Sequence, residues 1–166
     1  MNLHALLKRR EAVQWDGLCL VVAFLVLLTL IMVWWGIAGS TDRMPTIGQF
    51  LPVLLILILY FLLSAATLPE PTDEDALDLR RYYDNNSRYI WTLFLLATLF
   101  STTYETIASA PADRSLGTHL LNRSLDLVVL PVAMLSLIFI KKRWWHWVVL
   151  ALLSVGPITW LSRSIA

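Results

Sequence analysis

Apolar residues in this chain come in long unbroken runs, separated by short polar segments. Gly17 to Ala38 reads GLCLVVAFLVLLTLIMVWWGIA without a charge, and Ile47 to Leu68 is charge-free as well. A third run, Tyr89 to Ala110, is apolar in its first half and rich in hydroxyls in its second. The fourth, Ser124 to Ile140, is short, with Asp126 near its edge, and Trp144 to Leu161 is the fifth. Crossing a hydrocarbon core of roughly 30 Å takes about 20 helical residues. The pattern therefore predicts spans over 17–38, 47–68, 89–110, 124–140 and 144–161. A membrane β-barrel needs alternating polarity over segments of about ten residues, which these runs lack. In lipid every backbone N–H must find its partner within its own segment, so continuous apolar runs become helices. The expected fold is all-α: a polytopic transmembrane helical bundle of five spans, forming a single membrane domain over residues 1–166.

Basic residues orient the bundle. Lys8, Arg9 and Arg10 precede the first span, Arg80, Arg81 and Arg88 lie between the second and third, and Lys141, Lys142 and Arg143 lie between the fourth and fifth. These segments share one side and hold nine of the 13 basic residues, which leaves Arg43, Arg114, Arg123 and Arg163 on the other. The positive-inside rule then puts the N-terminus in the cytoplasm and the C-terminus outside. All eight tryptophans fall at the ends of these spans, where indole rings favour the membrane–water interface. The first apolar run is longer than the roughly 7–15 residues of a signal-peptide core, so it is expected to stay in the membrane.

The segment from Leu68 to Arg88, LPEPTDEDALDLRRYYDNNSR, is the most distinctive outside the spans. Thr72 and Asp75 have capping-box spacing, with acids in the first turn and Arg80 and Arg81 in the last, as the helix dipole favours. This predicts an interfacial helix over about 73–83, broken from the third span by Asp84-Asn85-Asn86-Ser87. Asp78, Arg80, Arg81, Tyr82 and Tyr83 are its candidate partner-contact surface.

Composition narrows the function classes. The chain is 58% hydrophobic and 15% charged, far from the profile of soluble domains, where about a quarter of residues are charged. A net charge of +1 carries no basic surplus to neutralise a phosphate backbone, so no nucleic-acid partner is expected. Cys19 is the single cysteine, which excludes an internal disulfide and a thiolate metal cage. His4, His119 and His146 are divided between both sides of the predicted bundle, a poor arrangement for a metal or for bis-His haem. No metal or other cofactor is expected.

Glu105 is the sharpest candidate for chemistry. With Thr98, Ser101, Thr102 and Ser109 it makes a polar stripe at helical spacing in the third span. Ionisable groups inside a span are costly and usually face protein or water. A carboxylate among hydroxyls can bind a cation or pass a proton, so Glu105, Thr102, Ser101 and Asp126 form a possible ion or proton site. The packing alternative is that Glu105 hydrogen-bonds another helix, or that either acid pairs with Arg114 or Arg123. Pro131 and Gly156-Pro157 are expected to kink the fourth and fifth spans. Walker, HExxH and GxSxG motifs are absent from the sequence, and the chain is not expected to be an enzyme.

WWG at 34–36, LPEP at 68–71, and DLRRYY at 78–83 followed by RYIW at 88–91 resemble small uncharacterised multi-pass proteins of bacterial inner membranes. The similarity covers roughly the first three spans. It implies a multi-pass protein of the bacterial inner (cytoplasmic) membrane and carries no activity or catalytic residues. The functional expectation is a non-catalytic accessory, assembly or scaffolding subunit, with the lipid bilayer and either other membrane subunits or further copies of itself as partners. The alternative is a small oligomeric ion or proton channel or carrier using Glu105.

Overall fold

A computed structural model describes residues 8, 13–38, 47–69, 77–108 and 125–162 of the chain. Among the described residues five α-helices longer than one turn follow in order: α1 Gly17–Ala38, α2 Ile47–Thr67, α3 Leu79–Ala108, α4 Leu130–Phe139 and α5 Arg143–Leu161. A π-helical turn, Leu125–Val129, leads into α4. Two-residue strands β1 (Val13–Gln14) and β2 (Leu77–Asp78) pair in parallel, Val13 opposite Leu77. They bring the chain entering α1 beside the start of α3.

Four helices are long and apolar enough to cross a membrane, over Gly17–Ile37, Phe50–Thr67, Leu79–Ala108 and Arg143–Leu161, which points to a membrane protein. At 1.5 Å per residue, α1 with its 22 residues reaches about 33 Å. The outward surface agrees. Phe24, Phe61 and Phe139 are 60%, 68% and 72% exposed, a degree of apolar exposure that water-soluble monomers rarely carry.

The fourth apolar run does not make a helix of that length. Its described helical part, the π turn and α4 together, covers 125–139, shorter than a full crossing needs. Pro131 follows the π turn directly, within a run that is already helical at Val129, so its missing N–H leaves a carbonyl of that turn without a bond. Pro131 thus sits beside an irregular turn inside a helical run, a place where helices bend. α5, by contrast, runs through Gly156-Pro157 without ending.

The region before the third span also differs from expectation. Residues 79–83 belong to α3 itself, a single helix of 30 residues, and 84–87 do not break it. Residues 73–76 of the expected interfacial helix lie outside the described residues. Hydrogen bonding explains the continuity. The Asp78 carboxylate accepts from the backbone N–H groups of Arg80 and Arg81 at 2.9 and 3.1 Å, satisfying donors that a helix start leaves open. Asn86 donates to the Tyr82 carbonyl and Ser87 to the Asp84 carbonyl, so the polar side chains rest on their own helix.

α3 is the central helix, packed against α2 and α4 and touching α1, while α1 also packs on α2 and α5. Its buried face runs Leu79, Tyr83, Ser87, Ile90, Phe94, Ala97 and Ser101, steps of three and four that define one side of a helix. Small side chains at Ala97 and Ser101 permit close approach of its neighbours. Between helices in lipid the cohesion comes from such packing and from hydrogen bonds rather than from expelling water.

Candidate functional site

The starts of α1, α3 and α5 and the ends of α2 and α4 meet at one end of the bundle. Exposed Arg80, Arg81, Lys141 and Lys142 surround this basic end. Inside it lies a directed chain of hydrogen bonds. Trp91 Nε1–H can only donate, and it donates to the Tyr83 hydroxyl oxygen at 2.8 Å. The Tyr83 proton is then directed to His146 Nδ1, 2.7 Å away. On the other side of the ring Nε2 faces the Ile140 carbonyl at 2.9 Å, which can only accept, so Nε2 carries the proton and Nδ1 of the neutral ring accepts from Tyr83. The chain selects the neutral Nε2–H tautomer and links α3 to the α4–α5 connection. Tyr83, Trp91 and His146 are all buried.

Around this chain runs a layer of ties. The Arg143 guanidinium spans two carboxylates, Asp16 at 2.5 Å and Asp84 at 3.1 Å, joining the entries of α1, α3 and α5. Cys19 Sγ–H donates to the Thr67 carbonyl, and the Tyr82 hydroxyl donates to the Ala66 carbonyl, so both fasten the end of α2. Trp145 Nε1–H reaches Ser136 Oγ at 2.9 Å, tying α5 to α4.

The five residues of the expected contact surface are thereby divided. Asp78 caps α3, Tyr82 is tied to α2 and Tyr83 is buried; Arg80 and Arg81 are exposed. Trp91, read from the sequence as an interfacial residue, is a core residue, and His146 beside it is buried as well. Trp91 stacks on Phe94 with ring centroids 5.7 Å apart.

Beyond that stack, toward the other end, lies a cavity of about 600 Å³. It has contributions from all five helices, and Thr98, Ser101, Thr102 and Glu105 of α3 line one wall. Across from them are Met32, Val33, Met134, Leu153 and Pro157. Tyr60 and Phe94, packed edge to face, close its inner end. The expected polar stripe thus converges on one cavity, with Ser101 and Thr98 buried and Glu105 exposed. Thr102 donates back to the Thr98 carbonyl at 2.8 Å, as Thr106 does to Thr102. Thr98 Oγ1 is buried and makes no well-formed hydrogen bond, although Tyr60 is its neighbour. The Asp126 side chain lies outside the described residues, as do Arg114, Arg123 and His119. Among the described residues no group of three His, Cys, Asp or Glu side chains is placed to hold a metal ion.

No family model, no curated protein and no solved structure matches this chain.

Proposed function

We propose that the chain is a non-catalytic, multi-pass subunit of the bacterial inner membrane that assembles with or scaffolds other membrane proteins, docking through its basic end. The single observation that carries this reading is how the basic end uses its reactive groups. His146, Tyr83, Cys19, Asp16 and Arg143 are each engaged in bonds that hold helices together, while Arg80 and Arg81 stay exposed beside them. Groups so engaged favour a structural role, and the exposed cations offer an acidic partner a contact. In this reading the basic end is cytoplasmic, five segments lie in the membrane with α4 as the short one, and the C-terminus is outside, following the positive-inside rule. Double substitution of Arg80→Ala and Arg81→Ala tests it by affinity purification from the native membrane. Loss of co-purifying membrane subunits with the bundle intact supports docking there, and undiminished recovery of every partner contradicts it.

A second reading, an oligomeric ion or proton carrier, is favoured by the gathering of Ser101, Thr102 and Glu105 on one cavity. Its test is flux through proteoliposomes with the parent chain and with Glu105→Gln. Flux abolished by the substitution supports the carrier, and no flux in the parent removes it.

A further inference from the structure

We infer that the cavity is a lipid site that seats one acyl chain of a membrane phospholipid, entering between α4 and α5. The volume, about 600 Å³, lies within the roughly 300–1,000 Å³ of small-molecule sites. Its chemistry suits hydrocarbon better than an ion. Four of its six oxygen-bearing residues, Thr98, Ser101, Thr102 and Glu105, come from one helix, and the Thr29 and Thr102 hydroxyls donate to carbonyls of their own helices, whereas a bound hard cation collects oxygens from several directions. Most of the remaining lining is apolar, Met32, Met134 and Leu153 among it, and offers a hydrated ion little beyond weak thioether acceptors.

The opening is marked by residues that both line the cavity and are exposed. Val129 at the head of α4 is 41% exposed, and Leu152 and Val155 of α5 are 48% and 55%. Short α4 contributes only its first half to the cavity wall, so the gap lies beside its beginning. In a bilayer that edge meets hydrocarbon, which makes a lipid chain the most abundant apolar molecule able to enter. The depth fits as well. From Glu105 down to Phe94 the α3 wall runs about 16 Å, close to half of the roughly 30 Å core. The Tyr60–Phe94 pair stops the chain at that depth.

The test uses the full chain in nanodiscs doped with a phospholipid carrying a diazirine at its acyl terminus, irradiated and mapped by mass spectrometry. Met134 and Leu153 are buried, so a lipid chain labels them only by entering the cavity, whereas Phe61 on the outside of α2 is labelled in any case. The expected wild-type map includes Met134 or Leu153. A map confined to outward residues such as Phe61 overturns the inference. Gly156 lines the cavity, and a Cβ placed there meets nothing within 4 Å, so Gly156→Phe fills space without an immediate clash. Label at Met134 and Leu153 is expected to fall about tenfold relative to Phe61, the equivalent of one decade in affinity. Val129→Trp fills the opening from the α4 side and is read in the same way where Gly156→Phe does not fold. Unchanged relative labelling in a folded filling variant also overturns the inference.

Discussion

Tyr83 and His146 stand 63 positions apart in the chain and share a 2.7 Å hydrogen bond whose direction is set by a third residue, Ile140, through its carbonyl at the other ring nitrogen. Because the carbonyl can only accept, Nε2 carries the proton of the neutral imidazole, and Nδ1 accepts the phenol's proton. The two bonds together therefore fix the histidine tautomer as well as the distance between α3 and α5. Tyr83→Phe removes the hydroxyl and strands both the Trp91 N–H and His146 Nδ1. An unpaired buried group costs about 1–3 kcal/mol in water-soluble proteins, and polar ties inside membranes measure somewhat less. We expect a loss of about 1–2 kcal/mol, read as a lower unfolding midpoint in detergent. An unchanged midpoint would show that the chain of bonds is not holding the bundle.

Arg143 provides a second comparison, because its two partners differ in environment. The Asp16 side chain is 12% exposed and that of Asp84 is 48%. Exposed ion pairs contribute about 0–1 kcal/mol, so Asp84→Ala is expected to leave the unfolding midpoint nearly unchanged. Arg143→Ala strands the more buried Asp16 carboxylate and is expected to destabilise by about 2 kcal/mol, below the range for fully buried pairs. Equal effects of the two substitutions, measured side by side, would contradict this division.

At Thr98 the expected sign is reversed. Its hydroxyl is buried without a well-formed hydrogen bond, and valine keeps the shape and the β-branching. Thr98→Val is expected to raise stability by about 1 kcal/mol, since the penalty for an unmet polar group disappears. A lower midpoint would show that the neighbouring Tyr60 hydroxyl bonds Thr98 after all.

Asp78 closes the first turn of α3 through two backbone N–H groups. Replacing it with alanine is expected to cost about 1 kcal/mol, and asparagine, which keeps an accepting oxygen, to recover most of that. Hydrogen exchange at the Arg80 and Arg81 amides reads the effect locally. Equal protection in the wild type and both variants would exclude capping by this side chain.

The long apolar helices were legible because nothing interrupts their runs: α1 occupies the same residues, 17–38, as the first charge-free segment. The short α4 was less so, since a hydropathy pattern does not show the π turn that precedes Pro131. Polar residues at 84–87 looked like a break because their side chains favour turns, and only their bonds to the helix's own carbonyls reveal continuity. A signal was nevertheless present. Leu79, Tyr83, Ser87, Ile90, Phe94, Ala97 and Ser101 keep one helical face straight through DNNS, and that periodicity alone puts Tyr83 on the core side. Trp91 and His146 were hidden by a different ambiguity. Aromatic residues near a span's end are equally compatible with an interfacial belt and with a buried polar tie, and the choice depends on α3 and α5 packing so that His146 meets Tyr83 and Trp91, 63 and 55 positions away. The hydroxyl stripe of α3 was visible as a periodicity, but the cavity it borders is built from four other helices as well.

The most direct test of the proposed assembly role is a native mass spectrum of the protein released gently from its own membrane. A stoichiometric second subunit is expected, bound to the chain and lost on substitution of Arg80 and Arg81. A spectrum holding only this chain, alone or as a homo-oligomer, would contradict the scaffolding role and direct attention to flux through the Glu105 cavity.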